Sequence, residues 1–375
     1  MRVLITGASG FIGKNLRLHL AERNDVELVC FTRRDDVAKL PELVRGVDFI
    51  FHLAGTNRPE DDAEFLLGNV GLTQTLCRAL IACFDSTGKI PTVIYTSSIQ
   101  AGGDSLYGVS KRSAEQALLS LVQSHQLRLR VFRLPNVFGK WCRPNYNSVV
   151  ATFCHNIARG LPIQINDFEK PVTLVYVDDV IASFVQLMDG VDVNLGLDCF
   201  ASVAPQYTTI VSALASQIQA FKNGRTTLMT ERVGSGLVRA LYATYVSNLP
   251  PEAFAYTVPQ YEDSRGVFVE MLKTPDSGQF SFFTAHPGTT RGGHYHQSKT
   301  EKFLVVKGRA RFKFRHMQTH DTHELVTTGE KPEVVETVPG WTHDITNVGS
   351  GEMIVMLWAN EVFDRVHPDT FSSPL

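Results

Sequence analysis

An α/β parallel sheet covered on both faces, followed by an all-β barrel, is the architecture this sequence predicts. Three observations lead to it. Apolar runs of strand length alternate with helix-period segments through the first two thirds of the chain. A turn with three regularly spaced glycines follows the first of those runs. Beyond Pro250 and Pro251 the texture changes to short apolar stretches punctuated by Gly and Pro. Near-continuous apolar strands separated by helices belong to parallel sheets buried on both sides. Closely spaced short strands belong to barrels and jelly rolls.

The strands of the first part read as "MRVLIT" (1 to 6), "VELVCFT" (26 to 32), "VDFIFHLAG" (47 to 55), "TVIYTSS" (92 to 98) and "LRVFRLPN" (129 to 136). Ile12, Leu16 and Leu20 fall at i, i+4 and i+8, one face of an amphipathic helix. The second part supplies "QFSFFTA", "KFLVVKG", "RARFKFRH", "ELVTTG", "VVETV" and "EMIVMLWAN". The change of texture within "YVSNLPPEAFAYTVPQY" predicts one domain over 1–250 and a second over 251–375.

With 375 residues the chain exceeds the ~100 to 200 typical of one domain. Its 36 basic residues balance 38 acidic ones without long runs of like charge, which argues against nucleic acid or a membrane surface as partner. Small molecules are the expected partners. No secretory leader pattern and no stretch of about 20 apolar residues is present, so a cytoplasmic protein is expected. The six cysteines (Cys30, Cys77, Cys83, Cys142, Cys154, Cys199) are scattered and form no CxxC; buried free thiols are expected rather than disulfides or zinc thiolates.

Gly7, Gly10 and Gly13, with Phe11 and Ile12 between them, sit directly after the first strand and open the first helix. Absent side chains let the backbone turn tightly and let a pyrophosphate approach the helix N-terminus. This is the pattern of a Rossmann-type dinucleotide site. At the end of the second strand stand Arg33 and Arg34, about where an acidic residue would hold the ribose of NAD. Two guanidiniums suit the 2′-phosphate of NADP, although Asp35 and Asp36 behind them work against it.

Tyr107 and Lys111 in "SLYGVSK" are four apart and project from one helix face. An ammonium beside a phenol favours the phenolate and makes tyrosine a usable proton donor or acceptor near neutral pH. Ser98, ending the preceding strand, can hydrogen-bond a reacting carbonyl. Residues 1 to about 245 resemble the extended short-chain dehydrogenase/reductases that act on nucleotide sugars, through "TGASGFIG", "HLAG", "TSS", "YGVSK", "RLPNVFG" and "YVDDV". The resemblance implies that Ser98, Tyr107 and Lys111 are the catalytic group, that Leu53, Ala54 and Gly55 line the cofactor cleft with Tyr107 and Lys111, and that Arg133 and Asn136 face the nucleotide sugar. One departure stands out: the segment between Arg34 and Asp48 lacks the strand and acidic residue that usually hold adenine.

In "GGHYHQSKTEKFLVVKG", His294 and His296 are two apart and so share one face of a strand. Glu301 and, from "PGWTHDITN", His343 complete a set of three nitrogens and a carboxylate, which suits zinc and is compatible with iron, manganese or nickel. HxHxxxxE followed by PGxxHxxxN resembles the two-part metal motif of the cupins, with Pro339-Gly340 in place of the usual Pro-x-Gly. "DSRGVFVEML" (263 to 272) with "TRGGHYH" is similar to nucleotide-linked deoxysugar 3,5-epimerases, in which a histidine removes a proton next to a ketone. Two roles, ligand and base, therefore compete for His294. The joined halves, including "FGKWCRPNYNSVVATFCHNIARG" and "NEVFDRVHPDT", resemble the bifunctional reductase–epimerases of capsule and O-antigen synthesis. That resemblance implies a cupin that inverts C3 of a UDP-linked 4-keto-6-deoxy amino sugar, an NADPH-dependent reduction at C4 to UDP-N-acetyl-6-deoxy-L-talosamine, and a homodimer. The alternatives are a metal-stiffened cupin used only for dimerisation or sugar binding, and an oxidative metalloenzyme.

Overall fold

The computed structural model describes residues 1–58, 61–191, 199–263, 266–269, 272, 274, 278–361 and 366–375. They form two compact units, Met1–Phe138 with Thr173–Thr208, and Gly139–Val172 with Thr209–Leu375.

Among the described residues of the first unit, a six-stranded parallel sheet runs in the order Glu27–Phe31, Arg2–Thr6, Phe49–His52, Thr92–Ser98, Leu129–Leu134, Phe200–Ala201. Its central strands are buried on both faces: Val3, Leu4 and Ile5 have 0% exposure, as do Ile50 and Val93. This is the continuous apolar pattern the sequence shows. Helices Leu72–Thr87 and Leu106–Ser124 cover one side through Leu76, Leu80 and Leu118. The first helical run, Ala63–Thr87, is long and apolar enough by length and composition to cross a membrane, yet Leu76, Ala79, Leu80 and Cys83 within it belong to this core. Because every strand is parallel, Thr6, His52 and Ser98 end on the same edge. The chain leaves the first strand toward one side and returns on the other, so the crevice between the first and third strands is a switch point where such sheets take ligands.

The second unit holds two five-stranded antiparallel sheets. One runs Ala255–Thr257, Glu333–Glu336, Glu301–Lys307, Met353–Ala359, Gln279–Ala285; the other Thr322–Thr328, Arg309–His316, Trp341–Asn347, Thr290–Tyr295, Phe371–Ser372. Phe303 of the first meets Phe312 of the second at 5.7 Å between ring centroids, so the sheets share a core.

Helices Val149–Ala158, Val211–Thr227 and Gly236–Ser247 pack on one another within this unit. They are joined to the barrel by a buried polar network. Arg225 and Lys302 both donate to Glu336, Tyr242 Oη donates to Glu336 Oε1 at 3.1 Å, and the Arg225 guanidinium stacks 4.2 Å over the Tyr256 ring. The boundary read near residue 250 thus falls inside the second unit, between Gly236–Ser247 and the first barrel strand. Periodicity reports what kind of element a segment forms; it carries no information about which core receives the apolar face.

The cysteines are free thiols. Cys77, Cys83 and Cys154 are buried as expected, whereas Cys30 is exposed because it alternates outward on a strand edge.

Candidate functional site

The glycine turn is shaped by two close approaches. Gly7 has φ 72°, and a Cβ there would lie 2.7 Å from the Ala54 backbone nitrogen; a Cβ at Gly13 would lie 2.3 Å from the Gly7 carbonyl. The turn therefore presses against Leu53–Gly55, the segment following the third strand. Gly10 is the N-cap of helix Phe11–Ala21 and contributes no side-chain cap, so Phe11 and Ile12 begin a helix whose first N–H groups face the crevice.

Arg33 and Arg34 are exposed just past the second strand and make no ion pair among the described residues. Asp35 accepts from Thr32 N at 2.7 Å and Thr32 Oγ1 at 2.8 Å, and Asp36 caps the next turn through Ala38 N at 2.9 Å. Both carboxylates are occupied in shaping the loop rather than in pairing with the guanidiniums. Where the usual adenine-side strand is missing, a single turn and the short helix Leu40–Val44 stand instead.

Ser98 ends the fourth strand and caps the following turn through Gln100 N at 3.2 Å. Ser105 caps helix Leu106–Ser124 through Gly108 N at 3.1 Å, which sets Tyr107 and Lys111 on its first turns. The Tyr107 phenol hydrogen-bonds Ser98, and Lys111 Nζ donates to the Thr96 carbonyl at 2.7 Å while lying 4.5 Å over the Tyr95 ring. The three expected residues are thus brought together, but their electrostatics differ from the expectation. Burial pushes the Tyr107 phenol up, opposed only by the Ser98 hydrogen bond. Burial also pulls the Lys111 ammonium down to about 7 despite Glu115 nearby. The lysine spends its charge on Thr96 and the Tyr95 ring, so the lowered phenol that the spacing suggested is not produced by this geometry.

Arg133 is tied to buried Glu115 by two hydrogen bonds of 3.0 and 2.7 Å and lies 4.6 Å over the Phe200 ring. Asn136 is exposed and donates to the Thr173 carbonyl at 3.1 Å.

Asn69 is a site residue that motif reading missed. In the π-turn Leu66–Gly71 its Oδ1 accepts from Thr56 N at 2.8 Å, and its Nδ2 donates to the Thr56 carbonyl and to Ser110 Oγ. It braces the cofactor-side loop against the Tyr107 helix, and a Cβ on Gly55 would lie 2.9 Å from its Oδ1. An asparagine inside the apolar run "LLGNVGL" was the available signal. His52 is a second: it bridges Thr6 Oγ1 and Thr73 Oγ1 at 2.7 and 2.8 Å, and burial pulls its imidazole down to about 3, so it is a neutral structural bridge.

In the second unit, His294, His296, Glu301 and His343 offer ligand atoms that all lie within 4.8 Å of one another. Two donors on one tetrahedral zinc, each at ~2.0 to 2.2 Å, stand about 3.3 to 3.6 Å apart, so the widest pair has to close by about an ångström, within the reach of side-chain rotation. A bulge builds the juxtaposition. Gly292 at φ 98° shifts the register between Gly292 and His294, which aligns His294 directly opposite His343. Glu301 Oε2 lies 3.1 Å from His296 Nε2 and 3.7 Å from His343 Nε2.

The cup is dry: exposures are 1% for His296, 3% for His343 and 6% for Glu301, with His294 the more open member. Among the described residues neither ring nitrogen of His343 has a hydrogen-bond partner. Leaving a buried polar atom unpaired costs about 1 to 3 kcal/mol, which a metal bond would offset. Burial, then His343 and His296, pulls His294 down to about 4, and burial lowers His343 as well. Burial alone would raise Glu301, but His296 beside it holds the carboxyl well below the usual range. The lowered His294 and His343 imidazoles and the Glu301 carboxylate tend toward the donor forms a divalent metal requires. The residues fit a metal.

Residues 3–196 match the NAD dependent epimerase/dehydratase family. The chain belongs to that family. Residues 261–371 match the polysaccharide biosynthesis C-terminal domain. The chain is 60% identical, over 99% of its length and 98% of the relative's, to UDP-2-acetamido-2,6-beta-L-arabino-hexul-4-ose reductase of Pseudomonas aeruginosa. Among solved structures it is similar to the capsular polysaccharide assembling protein CapF of Staphylococcus aureus, at 39% identity and TM-score 0.67 with 100% of both chains covered. The UDP-glucose 4-epimerase of Thermotoga maritima, at 22% identity and TM-score 0.53 over 60% of this chain and 83% of that one, shares the fold of the first part. An epimerase/dehydratase-family sheet joined to this C-terminal domain is the combination expected of a capsule-sugar enzyme.

Proposed function

We propose that the chain is a bifunctional nucleotide-sugar enzyme: the barrel epimerises C3 of a UDP-2-acetamido-2,6-dideoxy-4-hexulose, and the first unit reduces C4 with NADPH to UDP-N-acetyl-6-deoxy-L-talosamine. One observation carries the reading. The Ser98–Tyr107 pair with Lys111, and a cup of three histidines and a carboxylate, occur in one chain that aligns over 99% of its length with a reductase of such a sugar.

The chemistry follows from the residues. NADPH supplies the hydride. Tyr107 gives its proton to the C4 oxygen, Ser98 orients that oxygen, and Lys111 sits behind them near Gly55. Arg33 and Arg34 hold the 2′-phosphate, while Gly7, Gly10 and Gly13 admit the pyrophosphate.

In the barrel, the 4-keto group acidifies the C3 proton. His294, pulled down by burial and the most open of the four, is the base that removes it, and a solvent-derived proton returns to the opposite face of C3 to complete the inversion. His296, Glu301 and His343 remain as three protein ligands, the pattern of catalytic rather than closed structural zinc. A divalent metal, most fittingly zinc, would polarise the ketone oxygen. Epimerisation alone is reversible, and reduction of the same ketone draws it forward.

A second reading, a metal that only stiffens the barrel, is favoured by the depth at which three of the four ligands lie. Incubating the 4-keto sugar in deuterated water without NADPH separates the two. Solvent deuterium at C3 is the expected result; a metal-loaded protein that incorporates none makes the cup structural.

A further inference from the structure

We propose that Asp369 is a positioning residue of the cup, and that the C-terminal segment Asp369–Pro374 holds the ligands His296 and Glu301 in their binding geometry. This rests on the metal reading above. The backbone carbonyl of Asp369 accepts from His296 Nδ1 at 2.5 Å. That bond fixes the tautomer and leaves the Nε2 lone pair facing Glu301, the outer arrangement that tunes metal-binding histidines. The carboxylate of the same residue accepts from Gln297 N, Ser298 N and Lys299 N, each at 2.7 Å, and from Ser298 Oγ at 3.0 Å. These four donors belong to the turn between His296 and Glu301, so one side chain sets the spacing of both ligands.

The next residue continues the arrangement. Thr370 Oγ1 accepts from Lys299 Nζ at 3.1 Å, and the same Nζ lies 3.1 Å from Glu301 Oε1. Glu301 therefore presents its other oxygen, Oε2, to the histidines. The segment is itself anchored to the barrel. Phe371 and Ser372 pair with Tyr295 and His294, and Ser373 N donates to the Gly293 carbonyl at 2.7 Å. Thr342 Oγ1 donates to the Ser373 carbonyl at 2.7 Å and Arg315 Nη2 to the Pro374 carbonyl at 3.0 Å. Three strands of the cup sheet, Thr290–Tyr295, Trp341–Asn347 and Arg309–His316, thus hold the strap that holds the ligands.

The experiment uses the full chain, stripped of metal and titrated with zinc against a chromophoric chelator, then with cobalt followed by its absorption bands. Asp369→Ala should weaken zinc binding about 10- to 100-fold and alter the cobalt spectrum, because the turn that sets the spacing of His296 and Glu301 loses its carboxylate restraint, while the backbone carbonyl that accepts from His296 Nδ1 remains. Asp369→Asn keeps one accepting oxygen and should fall between. Thr370→Val, which removes only the Lys299 acceptor, should cost a few-fold. In metal-free protein the Gln297, Ser298 and Lys299 amides should exchange faster in Asp369→Ala. Tryptophan emission reports folding of the barrel unit, since Trp141, Trp341 and Trp358 all lie there. Unchanged affinity and spectrum in a folded Asp369→Ala protein would overturn the proposal; should that variant unfold, unchanged affinity in both Asp369→Asn and Thr370→Val overturns it. An unmutated protein that takes up neither zinc nor cobalt removes the metal reading itself.

Discussion

At the reduction site Lys111 is paired by the protein itself, donating to the Thr96 carbonyl and covering the Tyr95 ring, whereas in the cup the buried His343 has no hydrogen-bond partner for either ring nitrogen among the described residues and only Glu301 Oε2 at 3.7 Å from its Nε2. The same physical force, burial, lowers both groups, but to different ends. It brings Lys111 down to about 7, where it exchanges protons near neutrality, and it pulls His294 and His343 down, which favours the neutral forms that donate lone pairs.

The comparison breaks most sharply at two residues. Tyr107→Phe should reduce NADPH oxidation by about 10²- to 10⁴-fold while C3 deuterium exchange continues at its normal rate. Loss of both activities together would mean that the two sites do not work separately. His294→Ala should do the reverse, lowering exchange by about 10²- to 10⁴-fold while the already epimerised sugar is still reduced. Zinc content measured on the same variant sharpens the assignment: retained metal leaves His294 as base, lost metal makes it a ligand.

A smaller effect is expected at the cofactor. Arg33→Ala with Arg34→Ala should erode the preference for NADPH, at about 1.5 to 3 kcal/mol for each charge-assisted contact. Steady-state kinetics with both cofactors test this, and equal kcat/KM for NADPH and NADH in the unmutated protein would remove the role of these arginines.

The smallest effect is on stability. Burial takes Lys111 from 10.5 down to about 7, so between those values the unfolded chain binds the extra proton and the folded chain does not. Stability then rises with pH across that window, and the penalty of the buried charge is full below pH 7. Thermal melts at about pH 7 and about pH 9.5 should show a gain in the unmutated protein that Lys111→Met lacks. Identical pH dependence in the two would place the lysine in a more hydrated setting.

Much of this was legible beforehand because it is local. Strand Thr92–Ser98, the Tyr107 and Lys111 spacing and the Gly7 turn depend on neighbours a few residues away, and each lies where its pattern places it. The bulge at Gly292 was not legible, since a register shift exists only relative to a partner strand, here Trp341–Asn347. Nor was the pairing of Arg133 with Glu115, which joins a strand to a helix 18 residues earlier in the chain. Ser264, Arg265, Glu270 and Met271 of "DSRGVFVEML", on which the epimerase resemblance partly rests, lie outside the described residues.

By itself, the sequence determined a parallel α/β sheet with a glycine turn after its first strand, a following β-barrel, and the candidate residues for cofactor, proton and metal. Alternation of polarity and the spacing of glycines act at short range, and a linear pattern records them fully. Only the tertiary structure decided that burial raises the Tyr107 phenol, that the helices after residue 208 share a compact unit with the barrel, and that Asp369 reaches back 73 positions to orient His296. Desolvation, register and long-range hydrogen bonds depend on which surfaces meet, and that is settled by packing.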